Sequence, residues 1–245
     1  MGWIDMRTRA FIKTLLLLIG SGFILILLLW FLFSRGYLRL NYPSYTKFPV
    51  RGIDVSHHQG KIDWAGIPKE EVHFAYIKAT EGGDFQDPRF LENWTNAKGA
   101  GIKVGAYHFF TFCRPVSDQI NNFISTVPVE QGDLPPALDL EYEGNCSKSS
   151  VKIQVPHDID KFVEVLRIRY GKEPVLYTTY EFYEARLKPH AMLLNRVWIR
   201  SIFGAPERSP DWIIWQFANR GRLPGIATPV DLNVFRGTFA DLDAF

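Results

Sequence analysis

The sequence predicts an α/β fold, an irregular (β/α)8-like barrel of the TIM type preceded by one transmembrane helix. Three observations carry this expectation. Residues Leu15 to Phe33 form an apolar run without a single charge. Beyond residue 50, short runs rich in β-branched and aromatic residues alternate with stretches of helical periodicity, the pattern of βαβ units and a largely parallel sheet. About eight such strands over about 195 residues match a compact barrel. An open doubly wound sheet is the competing arrangement, but no strand is followed by a glycine-rich phosphate loop of the GxGxxG or GxxxxGK[ST] kind. Several late strands have little or no helix between them, so the barrel is expected to be irregular. No internal repeat stands out.

The apolar run covers roughly 28 Å as a helix, close to the thickness of a bilayer core. A cleaved secretory signal has a shorter apolar region and a small-residue cleavage site. Here the run ends in Trp30-Phe31-Leu32-Phe33-Ser34-Arg35, so a retained signal anchor is expected. It has no polar face with which to form a core helix. Arg7, Arg9 and Lys13 precede it and favour a cytoplasmic N-terminus, against Arg35 and Arg39 beyond it; Trp30 and Tyr37 suit the membrane interface. The expected organisation is a short cytoplasmic segment 1–14, a membrane span 15–33, an extended proline-containing linker 34–49 and an extracytoplasmic globular domain 50–245. Hydrophobic residues make up 47% of the chain and charged residues 22%, enough for a packed core. The basic residues outnumber acids only in the first fifty positions and the remainder is slightly acidic, which argues against nucleic acid as a partner. The chain is expected to be a monomer.

Taken in order, strands are expected at Val50–Ser56, His73–Thr80, Ile102–Phe110, Pro136–Glu141, Pro174–Thr179, Val197–Ser201, Trp212–Phe217 and Val230–Phe235. The first helix is expected at Asp87–Lys98, with Asp87 as N-cap and Pro88 in its first position. A second follows at Pro115–Val127, where Val116, Ile120, Phe123, Ile124 and Val127 recur at helical spacing. A third runs from Asp158 to Tyr170 and stops at Gly171. A short one covers Tyr180–Leu187.

Barrels of this kind build their sites at the C-terminal ends of the strands. The stretch Ala137-Leu138-Asp139-Leu140-Glu141 places two acids two residues apart, so on a strand both point to the same side. Neighbouring carboxylates disfavour joint ionisation and push one pKa upward. A protonated acid beside an ionised one is what cleavage of a glycosidic bond requires. The alternative is a solvated strand end whose acids pair with Lys or Arg. Asp54 sits inside another apolar strand, and Asp231 and Asn233 repeat the same-side spacing. Lys78, His108 and Gln216 are further polar residues within strands. Tyr107, Phe110, Tyr177 and Trp215 lie near the same ends, where rings can stack on sugar faces, whereas Trp198 and Trp212 read as core packing. The candidate catalytic residues are therefore Glu141, Asp139, Asp54 and Asp231. The candidate substrate-binding residues are Tyr107, Phe110, Tyr177, Trp215, Gln216 and Asn233.

Neither a metal nor a cofactor is expected. His57 and His58 are adjacent and would point opposite ways, and there is no HExxH or paired CxxC. His108 reads as a hydrogen-bonded strand residue. A serine nucleophile lacks its GxSxG. Cys113 and Cys146 each follow a strand expected to neighbour the other. Outside the cytoplasm they are expected to pair across the rim of the cleft, the other option being two free thiols in exposed loops.

Six pieces of sequence, in order, resemble the family 25 glycoside hydrolases, which are lysozymes (N-acetylmuramidases). They are Gly52-Ile53-Asp54-Val55-Ser56-His57-His58-Gln59-Gly60 with Ile62-Asp63-Trp64, then Ile77-Lys78-Ala79-Thr80-Glu81-Gly82, then Gly105-Ala106-Tyr107-His108-Phe109-Phe110, then Leu138-Asp139-Leu140-Glu141, then Trp215-Gln216, and last Val230-Asp231-Leu232-Asn233-Val234-Phe235. The resemblance covers roughly Val50 to the C-terminus. It implies a somewhat flattened barrel and hydrolysis of the β-1,4 bond from N-acetylmuramic acid to N-acetylglucosamine in peptidoglycan. It matches Glu141 to the family's catalytic acid, Asp139 to the acid proposed to orient the N-acetyl group, and Asp54 and Asp231 to the other two site acids. His58 departs from the pattern, since family members often carry Trp there. Two other functions stand beside this one: a membrane-tethered glycan-binding protein without turnover, and a chitinase-type hydrolase, which also uses an Asp-x-Glu strand.

Overall fold

The computed structural model describes residues 6–146, 155–189, 196–207 and 212–245. They form two compact units, Met1–Arg39 and Leu40–Phe245. In the first, helix α1 (Met6–Ser34) has no buried residue. It is long and apolar enough to cross a membrane, spanning about 43 Å at the standard helical rise. A helix with these properties at this position serves as a signal or as an anchor. It starts before the uncharged run because its basic first turns are themselves good helix formers.

The second unit contains β1 (Arg51–Val55), β2 (Phe74–Glu81), β3 (Phe85–Gln86), α2 (Phe90–Gly99), β4 (Lys103–Phe109), α3 (Val116–Thr126), β5 (Ala137–Leu140), α4 (Val155–Tyr170), β6 (Val175–Thr179), a short α5 (Tyr180–Phe182) running into a π-helical turn (Tyr183–Leu187), β7 (Val197–Arg200), β8 (Trp212–Gly221), β9 (Val230–Phe235) and α6 (Phe239–Ala244). The strands run in the order β1-β9-β8-β7-β6-β5-β4-β2, and β1 pairs with β2 to close the ring. The result is the expected irregular eight-stranded barrel, with β3 as a two-residue extra strand against the end of β2. Strands β1, β2 and β4 through β8 are mutually parallel. Strand β9 is antiparallel to both neighbours, because β8 and β9 are joined by a loop rather than by the crossover helix that a parallel pair needs.

Most strand limits fall within a residue of their expected positions, but β8 continues to Gly221. Helix α2 begins at Phe90 rather than at Asp87. The Asp87 carboxylate accepts from Arg89 N at 2.9 Å, and also from His57 N at 2.9 Å, which makes the segment a turn ahead of the helix. Helix α6 was not foreseen, although Thr238 and Asp241 form a reciprocal capping box at its start, a pattern readable from sequence.

Strand parity divides the buried side chains into two cores. Ile53, Ala75, Ile77, Val104, Ala106, Leu138, Leu140, Ile199, Trp215 and Val234 face outward against the helices. Phe74, Tyr76, Ala137, Val175, Tyr177, Trp198, Ile214 and Phe235 fill the interior. The interior accepts two large rings on β2 because each has a glycine beside it. Gly52 pairs with Phe74 and Gly105 with Tyr76, and a Cβ at either glycine would lie 2.5 Å from the neighbouring ring.

Residues 40–49 lie on the barrel. Asn41 donates to Ser201 O at 3.2 Å, and the Arg51 guanidinium donates to Pro43 O at 3.2 Å while sitting 3.9 Å from the Tyr45 ring centre. Phe48 packs on Trp212 and Trp215. Much of the segment expected as a linker therefore belongs to the compact unit.

Gly105→Ala is expected to destabilise the unit 40–245 by about 1–3 kcal/mol, the usual cost of overpacking a filled core. Urea unfolding checks this; an unchanged midpoint would mean that the buried Tyr76 ring moves aside freely.

Candidate active site

The C-terminal ends of the parallel strands, with the N-terminal end of the reversed β9, surround a cleft of about 570 Å³, within the usual range for a ligand site. Asp54, Tyr107, Asp139, Glu141, Tyr177, Gln216 and Asp231 all line it. Seven residues singled out by the sequence thus meet in one cavity, and the same parity explains each. On β5, Asp139 and Glu141 point inward while Leu138 and Leu140 pack outward.

Asn233, the eighth, lies just beneath the surface of the cleft and organises its floor. Trp198 Nε1 donates to Asn233 Oδ1 at 2.8 Å, and Asn233 Nδ2 donates to Asp54 Oδ2 at 2.7 Å. From the other side, the Tyr177 hydroxyl donates to Gln216 Oε1 at 3.0 Å, and Gln216 Nε2 donates to the same Asp54 Oδ2 at 3.0 Å. Two amide donors therefore converge on one carboxylate oxygen. Asp231 is the residue opposite Asp54 across the β1–β9 pair, and two neighbouring carboxyls disfavour joint ionisation. Burial and the neighbouring Asp54 charge hold the Asp231 carboxyl well above its ordinary range. Asp54 is raised by burial too, but the Asn233 and Gln216 donors oppose the shift. Of the two, Asp231 is the carboxyl that favours the protonated form.

Asp139 and Glu141 are enclosed on most sides and open to the cleft. Burial pushes Glu141 up to about 7, with Arg200 opposing and Glu143 reinforcing the shift. Asp139 is driven well above the ordinary range by burial, then by the Glu141 charge. Its Oδ1 is buried with no hydrogen-bond partner among the described residues, which favours the protonated form.

Two expected sugar contacts are corrected. Phe110 is 2% exposed and sits in the outer core against Phe112 and Phe162. Trp215 is 4% exposed, packs on Phe48 and Phe217, and donates Nε1 to Ser201 O at 2.8 Å. Parity forbids both expectations. Trp215 adjoins the inward Gln216, and Phe110 is three residues from the inward Tyr107, so each faces the helices. Phe109 lines the cleft instead. Trp198, expected as core, is buried among Tyr76 and Tyr177 with one edge in the cleft wall.

Arg200 was missed. Its Nη1 donates to Glu141 Oε2 at 3.1 Å and to Glu143 Oε2 at 3.0 Å. A signal existed: Arg200 ends the apolar run Val197-Trp198-Ile199, the logic that singled out Glu141. Lys78 also lines the cleft, paired to Glu81 at 2.7 Å. His58 lines it at the position of the departure noted above. Its neighbour His57 is held by Asp87 at 2.8 Å. His108 is a structural residue, held between Thr80 Oγ1 at 2.7 Å and Gln119 Oε1 at 3.1 Å, and burial lowers it to about 4.

Cys113 and Cys146 form a disulfide between the loops after β4 and β5. Next to it, Asn145 Nδ2 donates to Phe110 O at 2.7 Å and to Glu141 O at 3.2 Å. The loop that follows Glu141 is thus pinned to the adjacent strand end.

A barrel whose strand ends gather carboxylates and rings around one cleft has the layout of a glycoside hydrolase. The family model "Glycosyl hydrolases family 25" matches residues 53–226. The uncharacterized protein YegX of Escherichia coli (strain K12) is 36% identical over 214 residues, 82% of this chain and 74% of YegX. Lysozyme M1 of Streptomyces globisporus is 35% identical over 208 residues, 79% of this chain and 70% of that protein. The solved structure of a family 25 glycosyl hydrolase from Bacillus anthracis superposes with a TM-score of 0.76 at 34% identity, covering 86% of this chain and 98% of that one. The chain belongs to glycosyl hydrolase family 25, the lysozyme family.

The raised acids carry a cost in stability. A folded chain holding Asp231 above its unfolded pKa keeps a proton that the unfolded chain releases. The associated stability is full below the unfolded value, near 4, and is lost as pH rises toward the folded one. Asp231→Asn supplies a permanent N–H donor to Asp54. It is expected to stabilise the fold by about 1–2 kcal/mol at pH 7, with the gain fading toward pH 4. Thermal unfolding across this range checks the prediction; a loss of stability, or a gain independent of pH, contradicts it.

Proposed function

We propose that this protein is a peptidoglycan hydrolase that cleaves the β-1,4 bond from N-acetylmuramic acid to N-acetylglucosamine, with Glu141 as general acid and base. The observation that carries the proposal is Glu141 itself, a carboxyl pushed up to about 7 at the end of an apolar strand in a cleft of sugar-binding size. Near neutral pH such a group is present in both forms, as a proton donor that must later act as base requires.

The steps follow from the surroundings. Glu141 donates its proton to the leaving glycosidic oxygen. The acetamido oxygen of the muramic acid attacks the anomeric carbon, and an oxazoline-type intermediate forms as the bond to the leaving sugar breaks. Positive charge then grows beside Asp139. On binding, the acetamido N–H donates to the Asp139 oxygen that lacks a partner, Asp139 releases its proton to solvent, and its carboxylate then stabilises the positive charge that grows in the transition state. Glu141, now ionised, takes a proton from water as the water opens the oxazoline. Participation by the substrate replaces the second carboxylate of the usual scheme. Asp54, held by Asn233 and Gln216, acts with Asp231 opposite it as a fixed polar floor under the sugar. Tyr107, Tyr177 and Phe109 supply ring faces. We place the barrel outside the cytoplasm, with α1 as a retained anchor. The disulfide supports an oxidising compartment, and a tethered enzyme would act on glycan close to the membrane.

Glu141→Gln is expected to lower kcat for release of reducing ends from peptidoglycan by 10²-fold or more. The alkaline limb of the wild-type kcat/KM profile is expected near pH 7, where the free enzyme loses the donor proton. Identical behaviour of wild type and variant would sink the proposal in favour of a binding protein, and faster turnover of chitin than of peptidoglycan would favour the chitinase reading. NMR of the first-formed product is expected to show the β-anomer; an initial α-anomer excludes the substrate-assisted route.

A further inference from the structure

We propose that Arg200 is a positioning residue for Glu141, and that Arg200 and Glu143 together form a clamp that orients the Glu141 carboxyl and sets the pH range over which it works. The proposal rests on Glu141 being the acid, as argued above.

The geometry is specific. Arg200 is the last residue of β7, two strands from β5, and its guanidinium reaches past the end of β6 to the residue just beyond β5. One nitrogen, Nη1, bonds both carboxylates, at 3.1 Å to Glu141 and 3.0 Å to Glu143. A guanidinium nitrogen of this kind carries two hydrogens, one for each acceptor. The Glu141 side chain is 13% exposed, that of Arg200 24% and that of Glu143 75%. The clamp thus joins an enclosed acid to a solvated one through a half-buried cation.

The charges around Glu141 explain why both partners matter. Asp139 lies on its own strand, Asp54 on β1, Lys78 on β2, Tyr177 on β6, Asp231 on β9 and Glu143 in the following loop. Lys78 is engaged by Glu81, so Arg200 is the cation in direct contact with the acid. An Arg wholly committed to Glu141 would hold it ionised, and an ionised carboxylate cannot protonate a leaving group. Sharing Arg200 with Glu143 divides its attraction, and the Glu143 charge itself favours the protonated form of Glu141. The bond to Arg200 also fixes which carboxylate oxygen is turned to the wall, leaving the other for the substrate.

The test compares wild type, Arg200→Met, Arg200→Lys and Glu143→Gln as full-length proteins in detergent. Two quantities are read: the pH profile of kcat/KM on peptidoglycan, and the titration of the Glu141 carboxyl by carbon-13 NMR, assigned through Glu141→Gln. Arg200→Met is expected to move the alkaline limb and the Glu141 titration upward by about one pH unit. Glu143→Gln, at an exposed position, is expected to move both downward. Arg200→Lys is expected to keep the limb close to wild type with a lower kcat, because a single ammonium holds the charge but not the forked geometry. If activity falls equally at every pH while the Glu141 titration stays in place in both Arg200→Met and Glu143→Gln, Arg200 only packs the wall and the clamp is overturned. If wild type shows no turnover, the enzymatic reading fails, and the NMR titration still decides the clamp.

Discussion

A closed barrel gives each strand residue two directions, into the barrel or out to the helices. Nearly every feature of the site follows from this constraint. It aims Asp54, Asp139, Glu141, Arg200, Gln216, Asp231 and Asn233 at one cavity from five strands or their ends. It also sends the residues between them into an outer layer of Val, Ile, Leu and Phe that holds the helices. The acids can therefore be assembled without sacrificing the hydrophobic core, because the two sets alternate along the same strands. The glycines beside Phe74 and Tyr76 serve the same arrangement. They free space for two large rings below the cleft, and the polar cluster rests on a solid apolar floor.

The cluster carries an electrostatic cost that its neighbours distribute unevenly. Asp54 receives two amide donors and faces Asp231 across the β1–β9 pair. Asp139 has an unsatisfied buried oxygen, and Glu141 has Arg200 and Glu143. Four carboxyls in one cleft thus sit in different environments, and different surroundings push their protonation apart. The same crowding gives up stability at the site.

The rim is secured by covalent and local devices. The disulfide ties the loops after β4 and β5, Asn145 bonds backbone on both, and residues 40–49 are fastened by Arg51, Asn41 and Phe48. The side of the barrel formed by β7 and β8 depends on that segment for cover, since Phe48 packs on Trp212 and Trp215. Residues 40–49 are thus part of the fold they introduce.

Local sequence was enough to determine the membrane-length helix, the alternation of strands and helices, the approximate limits of most strands, and the acids that meet at the strand ends. Each is written in short-range periodicity or in a charge placed within an apolar run. The capping box of α6 was equally legible and passed unnoticed. Tertiary structure alone decided the rest. The direction in which Phe110 and Trp215 face depends on the parity of a whole strand within a closed ring, which nearness to a strand end does not reveal. The reversal of β9, the meeting of Asp231 with Asp54, and the reach of Arg200 across β6 to Glu141 all depend on partners far away in the chain. A carboxyl's protonation is set by what surrounds it in space. The sequence therefore identified Glu141 as a candidate, and only the fold placed Arg200 and Glu143 against it.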